Sequence, residues 1–261
     1  MIEEFGTVLE PRALPDFVET KFVKALTEAG YLAALIPEEY GGGGLDTVAS
    51  LLIAEHMVGA GSFSVTLNAH TGIGTMPLVF FGTEAQKKKY LPGLAKGERL
   101  STIAVTEATG GSDPTGIQTT AKLQGDSYVL NGRKCFITNG GVADLYTVFT
   151  VTSHEKKMEG ITGFVIEKGT PGLSVGKAEE KMGIRGSNTT EVILEDVKVP
   201  VSQRIGDEGV GWWLMMRTLN RSRPAIGALA TGLALGALNY LIQNGKEKGW
   251  FKVRNGALGV Q

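Results

Sequence analysis

The stretch Ala104-Val-Thr-Glu-Ala-Thr-Gly-Gly-Ser-Asp113, followed downstream by Phe136-Ile-Thr-Asn-Gly-Gly141, decides how the fold is interpreted. The first stretch begins like a strand and ends in two glycines and short polar residues. Such a loop lets main-chain amides and hydroxyl groups approach a ligand closely. When this stretch is considered alone, the commoner explanation of its glycines and polar residues is a turn closed by Ser112 and Asp113, without a ligand. The stretch lacks the glycine spacing of a phosphate loop or of a dinucleotide-binding loop.

Short runs of β-branched and aromatic residues continue from this stretch to about Pro200. Asn-Gly, Lys-Gly and Pro-Gly pairs separate them, as is typical of turns between neighbouring strands. The pattern predicts an antiparallel β-domain of hairpins, shaped as a barrel or sandwich, over residues 101–206. The runs are Tyr128–Leu130, Cys135–Thr138, Tyr146–Val151, Gly163–Ile166 and Glu191–Leu194.

Residues 1–100 carry apolar side chains at helical spacing. Helices are predicted from Asp16, which is placed as an N-cap, from Asp46, and over Glu84–Leu91. These residues therefore predict an N-terminal helical domain.

Residues 207–261 are predicted to begin a C-terminal helical bundle. Trp212–Leu219 and Pro224–Ile242 predict a hairpin of two helices, whereas residues 244–261 follow neither the helix nor the strand period and predict an irregular end. Trp212 and Trp213 are interpreted as helix packing. The fold class is therefore α+β, with helices, then sheet, then helices.

Composition excludes several classes of function. Lys and Arg total 26 against 27 for Asp and Glu, so no strong field attracts nucleic acid or an anionic membrane. The single cysteine, Cys135, and three scattered histidines offer no metal-ligand spacing, and His70 is expected to be an interior histidine. We expect no metal, no nucleic acid, no membrane span and an intracellular location.

Taken in order, five stretches of the sequence resemble the acyl-CoA dehydrogenase family. The resemblance runs over nearly the whole chain and fades after about Tyr240. The matching stretches are Leu35–Gly42, Phe81–Pro92, Val105–Asp113, Asn131–Gly141, and Lys181–Ser187 with Val197–Pro200.

This resemblance implies FAD-dependent α,β-dehydrogenation of an acyl-CoA thioester. In the family a base removes the α-proton, the β-hydrogen leaves as hydride to the flavin, and a trans-2-enoyl-CoA results. Electrons then pass to an electron-transferring flavoprotein. The implied setting is fatty acid β-oxidation by a homotetramer, in the bacterial cytoplasm or, for a eukaryotic protein, the mitochondrial matrix.

The resemblance also assigns roles to individual residues. Thr106 and Thr138 match positions that hydrogen-bond the flavin, where donors stabilise the electron density of the reduced ring. Phe136 replaces the tryptophan of most members, which keeps an aromatic face but loses the indole N–H. The cofactor-binding residues are Ile103, Val105, Thr106, Gly111, Ser112, Phe136, Ile137 and Thr138, and the substrate-binding residues are Ser112, Leu219, Asn220 and Arg223, with Asn220 replacing a common aspartate.

No catalytic base is assigned within this sequence. Abstraction of the α-proton needs a carboxylate whose pKa is raised in a dry site. The family places its glutamate on a late helix, which is expected beyond Gln261, or one residue before the arginine matched by Arg223, where this chain has Ser222. The chain is thus expected to be truncated relative to the family, to lack the base and to tetramerise poorly.

Two alternatives belong to other classes. One is a catalytically silent subunit that binds FAD or acyl-CoA within a hetero-oligomer. The other is a flavin relative that reacts with O₂, as an oxidase or monooxygenase does. Reduction of bound flavin by acyl-CoA and production of hydrogen peroxide separate the three hypotheses.

Overall fold

The computed structural model of the protein describes residues 21–57, 62–254 and 257–260. Helices occupy the described residues upstream of the sheet, as predicted, and a π-helical segment, Ala69–Gly74, joins two of them. The predicted start at Asp16 lies outside the described residues. The α-helices are α1 (Lys21–Glu28), α2 (Thr47–His56), α3 (Ser62–Asn68), α4 (Met76–Phe81) and α5 (Glu84–Ala95).

Side-chain caps explain where two of these helices begin. Asp46 accepts a hydrogen bond from the backbone N–H of Ala49 at 2.9 Å, which confirms the predicted start of α2. Thr83 and Gln86 form a reciprocal capping box at the start of α5. The Gln86 amide also donates to the carbonyl oxygens of Ser202 and Arg204, so this helix end is joined to the far end of the sheet.

An eight-stranded sheet forms the middle of the chain. Its hydrogen-bonded order is β6-β7-β3-β2-β4-β5-β8, with β1 paired to β4 beside that path. The α+β class is confirmed. The strands are β1 (Ser101–Ala104), β2 (Thr120–Gln124), β3 (Ser127–Thr138), β4 (Leu145–Val151), β5 (Ile161–Glu167), β6 (Leu173–Val175), β7 (Thr189–Pro200) and β8 (Arg204–Ile205).

Two pairings depart from the predicted run of hairpins. Strand β1 pairs with β4 in parallel, from Ser101 opposite Leu145 to Ala104 opposite Val148, and β2 meets β4 in parallel at Thr120. Parallel neighbours need a long connection, and the β2–β3 hairpin supplies it here. Local turn signals do not report such a pairing, because they describe only strands that are adjacent in sequence.

Helix α6 (Gly211–Glu247) corrects the predicted pair of C-terminal helices. Pro224 lies inside this one helix, although proline removes a backbone donor and clashes with the preceding turn. The helix continues past it because α6 packs along α2 on one side of the helical layer. The predicted irregular end is also wrong: the helix runs to Glu247, and strands β9 (Phe251–Arg254) and β10 (Ala257–Val260) form an antiparallel pair.

The core lies between the sheet and the helices on either side of it. One buried cluster joins α4 and α5 to β4, β5 and the start of α6, and includes Leu91, Phe149 and Leu214. A second fills the interior of the sheet domain around Tyr128 and Phe164. The domain boundaries after residues 100 and 206 stay a prediction.

The second half of α6 leaves apolar side chains exposed, among them Leu233, Leu238 and Tyr240. By length and composition alone, this is the one helix of the described chain long and apolar enough to cross a membrane. Its first half is instead packed in the core through Leu214 and Met215. The absence of a membrane span therefore stays a prediction.

Candidate functional site

A cavity of about 500 Å³ lies between the end of β1, the end of β3, the glycine loop that follows β1, and α6. This volume is within the range of small-molecule and cofactor sites. Its lining contains every residue assigned to the cofactor and three of the four assigned to the substrate: Ile103, Val105, Thr106, Gly111, Ser112, Phe136, Ile137, Thr138, Leu219 and Arg223.

A β-bulge turns the end of β3 toward the cavity. Lys134 pairs with Val192 and Ile137 with Thr190, so Cys135 and Phe136 together oppose a single residue of β7. Phe136 has φ of 57°, and its side chain is 66% exposed. Because a bulge bends its strand and redirects a side chain, the Phe136 ring faces the cavity rather than the interior of the sheet.

Hydrogen bonds hold the two strand ends together. Thr102 in β1 donates from Oγ1 to the carbonyl oxygen of Thr138 at 2.6 Å. The backbone N–H of Cys135 donates to the carbonyl oxygen of Thr106 at 2.8 Å. The residues on either side of these contacts therefore form one continuous wall of the cavity.

The loop after β1 is closed by its own backbone. Glu107 and Gly110 exchange two backbone hydrogen bonds, of 2.9 and 3.1 Å. A Cβ on Gly110 would lie 2.7 Å from the carbonyl oxygen of Asp113, and one on Gly111 would lie 3.2 Å from the Thr106 methyl group. Gly110 is thus needed for the loop to fold this tightly, whereas a side chain at Gly111 would only crowd Thr106.

Three hydroxyl groups of the lining are free to bind a ligand. No hydrogen bond within the described chain engages the side chains of Thr106, Ser112 or Thr138. Apolar side chains including Ile103, Val105 and Met216 complete the wall around them. A flat, mostly apolar ligand with polar edges fits such a lining.

The substrate-side residues are only partly brought together. Leu219 and Arg223 line the cavity, whereas Asn220 is exposed and its Oδ1 accepts from the Arg223 guanidinium at 2.6 Å. Arg223 forms no ion pair with a carboxylate of the described residues. Ser222 lines a smaller, neighbouring cavity of about 30 Å³, together with Gly72 and Thr71 of the π-helical segment.

Asp113 is the one carboxylate among the described residues that line the large cavity. Its Oδ1 accepts from the N–H and the hydroxyl of Thr115, at 2.9 and 2.6 Å. These hydrogen bonds, the hydroxyl first, hold the pKa of Asp113 below its ordinary value. A general base for an α-proton needs the opposite shift, so Asp113 is unsuited to that role.

Several lining residues were missed from sequence. Ile73 comes from the π-helical segment, whose irregular turn leaves no sequence signal. Trp212 both packs on the core and lines the cavity. Trp213 is 72% exposed, so the interpretation of Trp213 as helix packing is wrong. Another pair, Glu107 and Lys134, forms a buried ion pair behind the cavity, and no local sequence pattern indicates that either charge is buried.

Two family models match the chain. One is described as the acyl-CoA dehydrogenase N-terminal domain and covers residues 9–98; the other, the middle domain, covers residues 102–197. An acyl-CoA dehydrogenase of Bacillus subtilis is 42% identical over 248 residues, which is 94% of this chain and 65% of that protein. The chain thus spans less than two thirds of that relative.

Solved structures agree with the family models. The butyryl-CoA dehydrogenase of Megasphaera elsdenii is 37% identical, with a TM-score of 0.87 over 98% of this chain and 68% of its own. An acyl-CoA dehydrogenase of Bacillus anthracis, complexed with FAD, is 40% identical, with a TM-score of 0.87 over 97% of this chain and 43% of its own. By sequence, domain order and fold, the chain belongs to the acyl-CoA dehydrogenase family.

Proposed function

We propose that the protein binds FAD and acts in the α,β-dehydrogenation of an acyl-CoA, with electrons passed on to an electron-transferring flavoprotein. One observation carries the proposal: all eight residues assigned to the cofactor line a single cavity of about 500 Å³. They come from two strand ends and a loop and are spread over residues 103–138 of the sequence, so their convergence is a property of the fold.

The lining suits the flavin ring. Ile103, Val105 and Phe136 offer apolar and aromatic faces to a flat ring, and the free hydroxyls of Thr106 and Thr138 lie where its polar edge would be bound. When bound, the flavin would supply the hydride acceptor. The two threonines would stabilise the charge that the reduced ring carries.

Acyl-CoA is the proposed substrate. Arg223, Leu219 and Ser112 lie on the same cavity, and the Arg223 guanidinium has no carboxylate partner among the described residues, which leaves it able to bind an anionic group. The similarity to the butyryl-CoA dehydrogenase of Megasphaera elsdenii favours a short acyl chain. We propose that the α-proton base lies outside the described residues, because Asp113 is unsuited to the role.

The first experiment measures FAD binding and its reduction. Purified protein is titrated with FAD while flavin fluorescence and visible absorbance are recorded, and butyryl-CoA is then added without oxygen. We expect saturable FAD binding, followed by bleaching of the flavin when the protein includes the segment that carries the α-proton base. Absence of FAD binding by folded protein would overturn it.

The same experiment separates the alternatives. FAD binding without bleaching by acyl-CoAs of any length favours the catalytically silent subunit. Hydrogen peroxide formation in air, without another acceptor, favours the oxidase or monooxygenase. Oligomeric state and a cytoplasmic location stay predictions, and light scattering of the purified protein tests the expected weak tetramerisation.

A further inference from the structure

Lys134 lies on β3 and is fully buried, with no exposed side-chain area. Its ammonium group donates to Glu107 Oε1 at 2.7 Å and to the carbonyl oxygen of Val105 at 3.2 Å. Both partners belong to the segment that forms the cavity wall, since Val105 lines the cavity and Glu107 begins the loop after it. One side chain therefore ties that segment to β3.

The Glu107 carboxylate is satisfied on both oxygens. Oε2 accepts from the N–H of Gln118 at 2.7 Å, while Oε1 accepts from the N–H of Thr119 at 3.1 Å and from its hydroxyl at 2.5 Å. Burial raises the pKa of Glu107, but the Lys134 charge and these hydrogen bonds outweigh it and leave the pKa below its ordinary value. Glu107 is thus held ionised beside Lys134, whose charge is the largest opposing effect.

A buried ion pair of this kind contributes little net stability. Removing two charges from water costs several kcal/mol per ion, and apolar replacements of similar volume are often as stable. Here the pair lies directly behind Val105 and Thr106, which face the cavity. Its position suggests a role in the cavity rather than in the core.

We propose that Lys134 is a positioning residue for the cofactor: its ammonium group fixes Val105 and Glu107 behind the cavity wall and neutralises the Glu107 charge next to the flavin. This inference rests on the proposed binding of FAD. An uncompensated carboxylate at this place would disfavour the reduced flavin, which gains electron density, more than the oxidised flavin.

The test compares Lys134→Met with the double variant Lys134→Met/Glu107→Gln. The single variant leaves a buried carboxylate, and we expect it to weaken FAD binding by about tenfold or more and to make the flavin's reduction potential more negative. The double variant removes both charges, and we expect its potential to return toward that of the wild type. A purely structural role predicts that the single variant loses FAD affinity only as it loses stability, while the potential of the flavin that it still binds equals that of the wild type.

Arg133→Met is the matched control. Arg133 is the neighbouring residue on β3 and also pairs with a glutamate, Glu191, at 3.6 Å, but its side chain is 60% exposed. We expect the FAD affinity and the flavin reduction potential of Arg133→Met to equal those of the wild type. A potential shift in this control as large as in Lys134→Met would overturn the inference.

Two further variants apply if Lys134→Met does not fold. Lys134→Arg keeps the positive charge in a different shape, and Thr119→Val removes one hydrogen bond to Glu107. We expect both to weaken FAD binding and neither to shift the potential as Lys134→Met does, because each keeps a positive charge beside Glu107. Wild-type affinity and potential in every folded variant would overturn the inference while FAD binding itself stands, whereas failure of the wild type to bind FAD would overturn the proposed function instead.

Discussion

Thr102 donates a hydrogen bond of 2.6 Å to the carbonyl oxygen of Thr138, which joins the middle of β1 to the last residue of β3. Thr102 is buried, and its neighbour Ile103 lines the cavity, as does Thr138. Two strands that are not adjacent in the hydrogen-bonded order of the sheet are thereby held in register at the proposed flavin site. This contact fixes how far apart the two halves of the wall lie.

Thr102→Val should lower the free energy of unfolding by about 1–2 kcal/mol, because a buried carbonyl loses its donor while the shape is kept. FAD affinity should fall with it, since the two halves of the wall are no longer held together. Denaturant titration and flavin fluorescence measure the two effects. Thr102→Ser keeps the hydroxyl and is expected to retain most of the stability and most of the FAD affinity. Equal losses of stability and affinity in Thr102→Val and Thr102→Ser would contradict this assignment.

Phe136→Gly and Phe136→Ala should differ in stability but not in flavin binding. Both remove the ring, so both should bind FAD more weakly than the wild type. A left-handed backbone costs a non-glycine residue about 1 kcal/mol, and Phe136 has φ of 57°. The glycine variant should therefore be more stable than the alanine variant by about that amount in denaturant titration, and a reversed order would show that the bulge relaxes without strain.

Gly74→Ala should destabilise the fold by about 1–3 kcal/mol, because the new Cβ would lie 2.6 Å from the carbonyl oxygen of Ser101 and force the π-helical segment away from β1. Gly227→Ala is the control. That glycine lies on the exposed side of α6 with nothing within 4 Å of a new Cβ, so alanine should stabilise by about 1 kcal/mol. Thermal melting tests both predictions: the melting temperature should fall in Gly74→Ala and rise in Gly227→Ala.

Protonation of His70 should destabilise the protein in mild acid. Burial lowers its pKa from 6.5 to about 4, and its Nδ1 accepts from the N–H of Ser101 at 3.1 Å. The pKa of His70 is lower in the folded than in the unfolded protein. The contribution of neutral His70 to stability is therefore complete above pH 6.5 and is lost as the pH falls toward 4. The loss amounts to about 3 kcal/mol.

His70→Asn keeps an acceptor for Ser101 but does not titrate, so the wild type should lose more stability than this variant between neutral pH and pH 4. Carboxylates titrate in both proteins and cancel in the difference. His56→Gln, at an exposed position, should behave as the wild type. Parallel pH profiles for the wild type and His70→Asn would contradict the assignment.

Local patterns predicted the strands and several helix starts, because β-branched runs, glycine turns and capping residues act over a few residues. The Asp46 cap and the strand runs such as Tyr146–Val151 were found in this way. The cofactor residues were assigned from motif order, and the structure places them on one cavity. That convergence depends on the β3 bulge, which no local signal describes.

What escaped prediction depends on long-range packing. Pro224 predicted a break, but packing along α2 keeps α6 continuous. The π-helical segment and the buried Lys134 also depend on partners far away in sequence. A lysine in a strand pattern is normally assigned to the exposed face, and only Glu107, 27 residues earlier, explains its burial.

The parallel pairing of β1 with β4 has a consequence for how the chain folds. Residues 101–104 find their partners only after about 40 intervening residues, including the whole β2–β3 hairpin, have been brought into place. Loop closure of this length carries an entropic cost before any contact compensates it, which slows folding. The hairpin can form early from local contacts, whereas the ligand pocket is completed late, so a cofactor would be captured by a nearly finished protein rather than serve as its folding nucleus.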